Sequence, residues 1–551
     1  MLEISRQLTC QKYILKLHSS RLRKARWRLT LPLDEARKND ELISIADSQI
    51  LRWIDELNGI TDADEKARDI KRQIRAMRKE PAAQARKAIR ALYAELDRIQ
   101  YKPDYMSLII DKDKDYYRAC RGFTINGVKY RRLLGTNGGI KKSTIVFVSE
   151  RLYPELSERI ENGRDPNREL VVAKLEAYKA LTCSASTPVS APRGVLIVND
   201  AETEFLSDII YLTDETDGEP LMEPRPNYPI KKDASDGFGL MLPSLAERWS
   251  WDLRLHYTTG GVNIRAAWTK GMVFAFDFLD FAEKIAGKYT VKDAWGDEVD
   301  IRDVELILTT SMVKLWDSYT SCRDYLESSA AHGYTFSVAK TCPEKLENEH
   351  TTNYQFVQIF DFTDEDIDKL IAPTLGELRD VLSGDWRKTI LFLRGGGMTE
   401  NNIAASADDF AKAIMIDRRM LDDPYIQRTI YQLIKHRIND AKIGVLKVHG
   451  NYSIVCGDPF LLMQHIFGLE KTGLLKTGEI YNQYWADTDA EALACFRAPM
   501  SAYENVRRVT PVKRVEARYW YQHMPTATVL NGWDTTTDAL NGCEVLRPRV
   551  R

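Results

Sequence analysis

A chain of 551 residues, 44% hydrophobic and 29% charged, is too long for a mini-protein and too apolar for a disordered one. At roughly 150 residues per domain it divides into three or four units, each able to bury a core. A formal net charge of −2 gives no global pull on nucleic acid, so any such binding must use local basic surface. No run approaches the roughly 18 apolar residues that span a bilayer, and the first 30 residues carry eight Lys/Arg against one Glu without an apolar signal-peptide core. The expectation is a cytoplasmic protein with no membrane partner.

In chain order, helical spacing first runs over residues 35–100, which are rich in Ala, Leu, Ile, Arg, Lys and Glu. Breaks near Asn58-Gly59 and at Glu80-Pro81 predict two or three long helices. Within them Lys71, Arg72, Arg75, Arg78, Lys79, Arg86, Lys87 and Arg90 are offset by Glu80 alone, enough for a cationic helical arm. Such an arm is either a solvated helix face or a phosphate-binding surface, with Lys71, Arg75 and Arg78 as candidates for nucleic-acid contact. From about residue 105 short β-rich runs appear, such as Ser143-Thr-Ile-Val-Phe-Val148, followed by helical spacing through Ala180. A Ser/Thr/Pro stretch at 183–192 reads as a connector. A second β-rich region spans about 236–345, a helical region about 364–440, and a third β-rich region runs from Ile443 onward. The eight cysteines are scattered without a C-x-x-C pair, which indicates neither a zinc site nor a disulfide framework.

Several motifs fail on inspection. Gly135-Thr-Asn-Gly-Gly-Ile-Lys-Lys-Ser-Thr144 has Ile140 where a P-loop needs glycine, and it leads toward a strand where a phosphate loop opens a helix. Asp111-Lys-Asp-Lys-Asp115 begins like a calcium loop, yet Tyr116 replaces the turn glycine. The glycines at 395–397 lack dinucleotide-fingerprint spacing, and neither H-E-x-x-H nor G-x-S-x-G occurs. Hydrolase chemistry has no support.

Five segments in order over about 230–543 resemble the core of two-barrel RNA polymerases, of the cell- and phage-encoded RNA-dependent type. Ser235-Asp-Gly-Phe-Gly-Leu-Met-Leu-Pro-Ser244 is similar to the opening of that family's first barrel. Asn263-Ile-Arg-Ala-Ala-Trp-Thr-Lys-Gly-Met-Val273 is similar to its basic strand followed by Lys-Gly, and Thr310-Ser-Met-Val-Lys314 to its S-x-x-K element. Phe496-Arg-Ala-Pro-Met500 looks like the R-A-P element of the second barrel. Asn531-Gly-Trp-Asp-Thr-Thr-Thr-Asp-Ala-Leu-Asn-Gly-Cys543 is similar to the stretch leading to the catalytic loop.

The resemblance implies an α+β chain with an active site between two double-psi β-barrels. It would have a helical, basic arm over 1–104, an α/β accessory region over 105–235, and a first barrel over 236–345. A helical connector over 346–440 and a second barrel over 441–551, incomplete at its catalytic loop, would follow. It implies template-directed RNA synthesis from NTPs on an RNA or DNA template. Lys270 and Lys314 would be catalytic cations facing the triphosphate, Arg265 a nucleic-acid contact, and Arg497 a reader of the ribose 2′-hydroxyl. Mg²⁺ is the implied cofactor, held in the family by Asp-x-Asp-Gly-Asp.

Here the sequence departs from the family. Cys543 is followed by Glu544-Val-Leu-Arg-Pro-Arg-Val-Arg551, and Arg547, Arg549 and Arg551 would repel a metal ion. Asp534 and Asp538 read as turn and cap residues. The expectation is therefore a chain cut short of its metal ligands and not active by itself. The alternatives are one half of a split polymerase, completed by a second polypeptide carrying Asp-x-Asp-Gly-Asp, and a non-catalytic nucleic-acid-binding remnant.

Overall fold

The computed structural model describes residues 12–60, 63–78, 82–168, 170–213, 221–394, 409–496, 506–531 and 544–546. The chain forms two units, Met1–Asp200 with Asp236–Thr341, and Ala201–Ser235 with Cys342–Arg551. Helices and several sheets alternate throughout, as the α+β expectation requires.

The first unit opens with a seven-stranded sheet in the order Arg28–Leu29, Phe123–Ile125, Val128–Gly135, Thr144–Ser149, Tyr101–Ile109, Lys12–His18, Leu42–Ile45. The first 104 residues, expected to be helical, thus also supply strands. Lys12–His18 reads Lys-Tyr-Ile-Leu-Lys-Leu-His, and burial of Ile14, Leu15 and Leu17 on both faces of the sheet hides the simple alternation that would announce a strand. The long helices follow as Ala63–Met77 and Ala82–Gln100. Ala67, Ile70, Ile74, Leu92, Leu96 and Ile99 recur at three- and four-residue spacing and pack the two helices together. Their charged faces are left to solvent.

A second seven-stranded sheet follows in the same unit. Its strands are Thr187–Pro188 (β1), Val195–Val198 (β2), Phe238–Met241 (β3), Gly261–Ala266 (β4), Thr269–Ala275 (β5), Leu306–Thr309 (β6) and Ser337–Thr341 (β7), in the order β1-β7-β4-β5-β3-β6-β2. β3 runs parallel to β5 and β2 parallel to β6, while β3/β6, β4/β5 and β4/β7 are antiparallel. Ile264, Val273, Leu306, Leu308 and Met312 fill the core beneath Trp249 and Trp268. At about 1.5–3 kcal/mol for each buried aliphatic side chain, this packing stabilises the unit well beyond what its ion pairs contribute.

The second unit carries an eight-stranded sheet. Its strands are Glu349–Thr351 (β8), Lys447–Tyr452 (β9), Ile454–Cys456 (β10), Glu479–Tyr481 (β11), Leu493–Phe496 (β12), Val506–Pro511 (β13), Ala527–Leu530 (β14) and Glu544–Leu546 (β15), in the order β8-β9-β15-β12-β13-β11-β14-β10. Here β11 is parallel to β13 and β10 to β14, with β11/β14, β12/β13 and β12/β15 antiparallel. Strands β10 to β15 therefore repeat β2 to β7 one for one, in chain order, spatial order and pairing sense. The remainder of this unit is a set of helices that includes Asp364–Leu382 and Pro424–Lys442, and a long hairpin of Glu202–Thr213 with Leu221–Asp233.

Candidate functional site

The β4–β5 hairpin pairs Arg265 with Lys270 and Ala266 with Thr269, leaving Ala267 and Trp268 as a two-residue turn. Trp268 sits at φ 54°, a left-handed conformation that a bulky residue adopts only under constraint. The constraint is visible. The buried indole Nε1–H donates to the Tyr319 hydroxyl at 2.9 Å, and that hydroxyl donates to the Asn162 carbonyl at 2.8 Å. The Trp268 carbonyl accepts from the Lys314 N–H at 3.0 Å, and the Lys270 N–H donates to the Met312 carbonyl at 3.1 Å. The turn thus zips the Thr310–Lys314 loop onto the start of β5 and makes Lys270 and Lys314 neighbours.

The loop itself is anchored by Asp200. One carboxylate oxygen accepts from the Thr310 hydroxyl at 2.8 Å and the Ser311 N–H at 2.7 Å, the other from the Ser311 hydroxyl at 2.7 Å. The Gly237 N–H donates to Ser311 Oγ at 2.9 Å, tying in the Ser-Asp-Gly segment. Met312 then fills the space left by two glycines. A Cβ on Gly271 would stand 2.5 Å from the Gly237 carbonyl oxygen and 2.7 Å from Met312 Cε, and one on Gly239 would stand 2.2 Å from the Ile307 carbonyl oxygen. Close backbone approach explains why glycine follows Lys270.

Three cations meet here, and none of them is ion-paired with a carboxylate among the described residues. Burial pulls the Arg265 guanidinium down to about 10. Lys270 is lowered by burial and then by the charges of Arg265 and Lys314. Arg265 donates to the Asn263 side chain and, at 2.7 Å, to the Ile264 carbonyl, yet its buried Nε has no acceptor among the described residues. Lys314 Nζ donates to the Ser311 carbonyl. Burial disfavours the Arg265 charge and the cationic neighbours disfavour that of Lys270, and a bound anion would relieve both.

The other candidate residues lie elsewhere. Lys71 and Arg75 project into solvent from Ala63–Met77, and Arg78, just beyond it, donates to the Tyr93 hydroxyl at 2.8 Å. They are on the helix pair and not on the sheet with the three cations. Arg497, Asp534 and Asp538 lie outside the described residues, as do the 395–397 glycines and the tail from Arg547. The discarded calcium loop has an internal use, since Asp111 accepts from the Ser20 N–H and Ser19 hydroxyl, and Asp115 from Arg23. The discarded P-loop connects the antiparallel strands Val128–Gly135 and Thr144–Ser149. Among the described residues no three His, Cys, Asp or Glu side chains cluster to hold a metal ion, so no described carboxylate set fits the implied Mg²⁺. No described helix is long and apolar enough to cross a membrane.

Sequence reading missed Asp200 and Trp268 as positioning residues. Asp200 lies 110 residues before the loop it holds, and nothing local announces that pairing. Trp268 lies two residues before Lys270 in the Asn263–Val273 motif, and its residue type alone does not mark a positioning role.

The chain is 28% identical over 374 residues to the DNA-directed RNA polymerase YonO of Bacillus phage SPbeta, across 66% of this chain and 42% of that protein. Its fold matches the RNA dependent RNA polymerase QDE-1 from Thielavia terrestris with a TM-score of 0.52 at 13% identity, over 81% of this chain and 49% of that one. Both of these similar proteins are named RNA polymerases. It spans 42% of the length of the phage relative it matches. No protein-family model matches it.

Proposed function

We propose that this polymerase-related chain forms the core of a template-directed RNA polymerase, which transfers nucleotidyl groups from NTPs to an RNA 3′ end. Each six-strand repeat is read as a double-psi β-barrel. The observation that carries the reading is the repeat itself, because the residues singled out from sequence fall on the same two connections in both copies. Lys270 lies just after the β4–β5 turn and Lys314 between β6 and β7, while Arg497 immediately follows β12 and residues 531–543 lie between β14 and β15. In this reading Lys270 and Lys314 offset the charge that builds on the triphosphate, and Arg265 contacts the nucleic-acid backbone. Arg497 reads the ribose 2′-hydroxyl, and the exposed Lys71, Arg75 and Arg78 follow template or product phosphates.

A second reading, nucleic-acid binding without catalysis, is favoured by one feature of the sequence. Asp-x-Asp-Gly-Asp does not occur in the 551 residues. The two readings separate in one extension assay with NTPs, Mg²⁺ and primed RNA or DNA templates, run with the chain alone and with a polypeptide supplying Asp-x-Asp-Gly-Asp. Extension in either mixture, lost in Lys270→Ala, supports the polymerase. Template binding without extension in every mixture supports the second reading.

A further inference from the structure

Lys314 has a second environment. Beside the three-cation cluster, a cavity of about 410 Å³ opens against the helix Val172–Lys179, a size within the range of small-ligand sites. Arg168, Lys174 and Lys314 line it together with the hydroxyl-bearing Thr310 and Ser311. Asp317 is the single carboxylate of the described lining, and it is engaged by Arg168. Lys174 is exposed and has no ion-pair partner among the described residues. Three cations against one carboxylate make the cavity attractive to an anion of more than one charge.

The remaining walls suit a flat apolar group. Trp316 and Tyr178 are half-buried in the lining, and the Trp316 ring is held edge-on against Trp295 at 5.3 Å and 79°. Leu170, Leu175 and Leu315 complete the apolar side. Aromatic faces beside cations fit a base joined to a polyphosphate, since stacking is tolerant of base identity and the cations take the phosphates.

We infer that this cavity is a nucleoside-triphosphate holding site, with Lys174 and Arg168 as positioning residues that present the polyphosphate to Lys314. The inference rests on the polymerase reading and adds to it a site built from the 168–179 segment, outside both strand repeats. Lys314 is the link, belonging to the cavity and, through the Trp268 carbonyl, to the Lys270 hairpin. Arg168 acts at reduced strength because Asp317 competes for it.

The test is calorimetric titration of the full chain with ATP, inorganic tripolyphosphate and adenosine, using Lys174→Ala and Asp317→Asn. ATP should bind more tightly than tripolyphosphate, and adenosine least. Lys174→Ala should weaken ATP about tenfold, the scale of one charge-assisted contact. Asp317→Asn should tighten it about threefold by freeing Arg168, a sign that general damage to the fold does not produce. ATP binding unchanged in both variants, or no ATP binding at all, overturns the site. Equal affinity for ATP and tripolyphosphate overturns its nucleoside identity in favour of a bare polyphosphate site. Primed-template extension by the same samples, with the polypeptide supplying Asp-x-Asp-Gly-Asp, is followed in parallel, so that failure of the cavity is distinguished from failure of the polymerase reading.

Discussion

The β4–β5 connection and the β12–β13 connection occupy the same place in two sheets of one strand order, yet they are made differently. In the first, a two-residue turn with Trp268 in a left-handed conformation is clamped by Tyr319 and by the Lys314 loop. In the second, nine residues, 497–505, separate the strands. The interiors differ as well. The first sheet rests on Trp249, Trp268 and aliphatic side chains. The second buries a polar network in which Asn482 donates to the Ala527 carbonyl at 3.1 Å and Thr528 Oγ1 at 3.0 Å, while Asp458 accepts from the Tyr521 hydroxyl at 2.7 Å. Strand order is thus compatible with very different side chains. It fixes where a functional group can stand, and the connections decide which group stands there.

The comparison breaks first at the cations. In an extension-competent mixture, Lys270→Ala or Lys314→Ala should lower the incorporation rate about 10²- to 10³-fold with template affinity nearly unchanged, as measured by single-turnover kinetics beside template titration. Equal loss of template binding would remove both residues from transition-state stabilisation. Gly271→Ala tests the close approach of β5 to Met312. It should cost about 2–4 kcal/mol in urea unfolding, because the nearest obstacle is the backbone oxygen of Gly237. A tolerated alanine would mean that the loop is not packed as described.

Charge on the helix pair gives the next effect. Reversing Lys71, Arg75 and Arg78 together should reduce the slope of log affinity for RNA against log salt by about 2–3, while leaving the site cations untouched. An unchanged slope returns the arm to a solvated face. The first sheet should also show an acid-sensitive anchor. Glu305, just before β6, is held down at about 2 by the Arg248 side chain and then by the Arg193 N–H and guanidinium. Because its folded value lies below the unfolded one, its stabilisation is complete above about pH 4.5 and is lost as pH falls toward 2. Glu305→Gln should flatten that part of the stability profile.

How much was legible in the sequence varies along the chain. The helices from Ala63 to Gln100 were readable because Ala67, Ile70 and Ile74 recur at helical spacing and a break near Glu80-Pro81 separates the two. The strands of the N-terminal sheet, which holds Lys12–His18, were harder. Lys12–His18 is covered on both faces, and Arg28–Leu29 is two residues long, so neither shows a period. Lys270 and Lys314 stood out through ordered motifs, whereas Lys174 and Arg168 did not. Their role depends on the fold bringing helix Val172–Lys179 against a loop that lies far along the chain.

By itself the sequence determined the mixed α and β composition, the helix pair over 63–100 and the likeness to RNA polymerases, because local period and ordered motifs are written in neighbouring residues. Only the tertiary structure decided that the two β regions share one six-strand order, that Asp200 holds the Ser311 loop, and that Arg265, Lys270 and Lys314 stand together with no ion pair among the described residues. Those facts are non-local. Strand pairing and charge proximity depend on which distant segments are brought together.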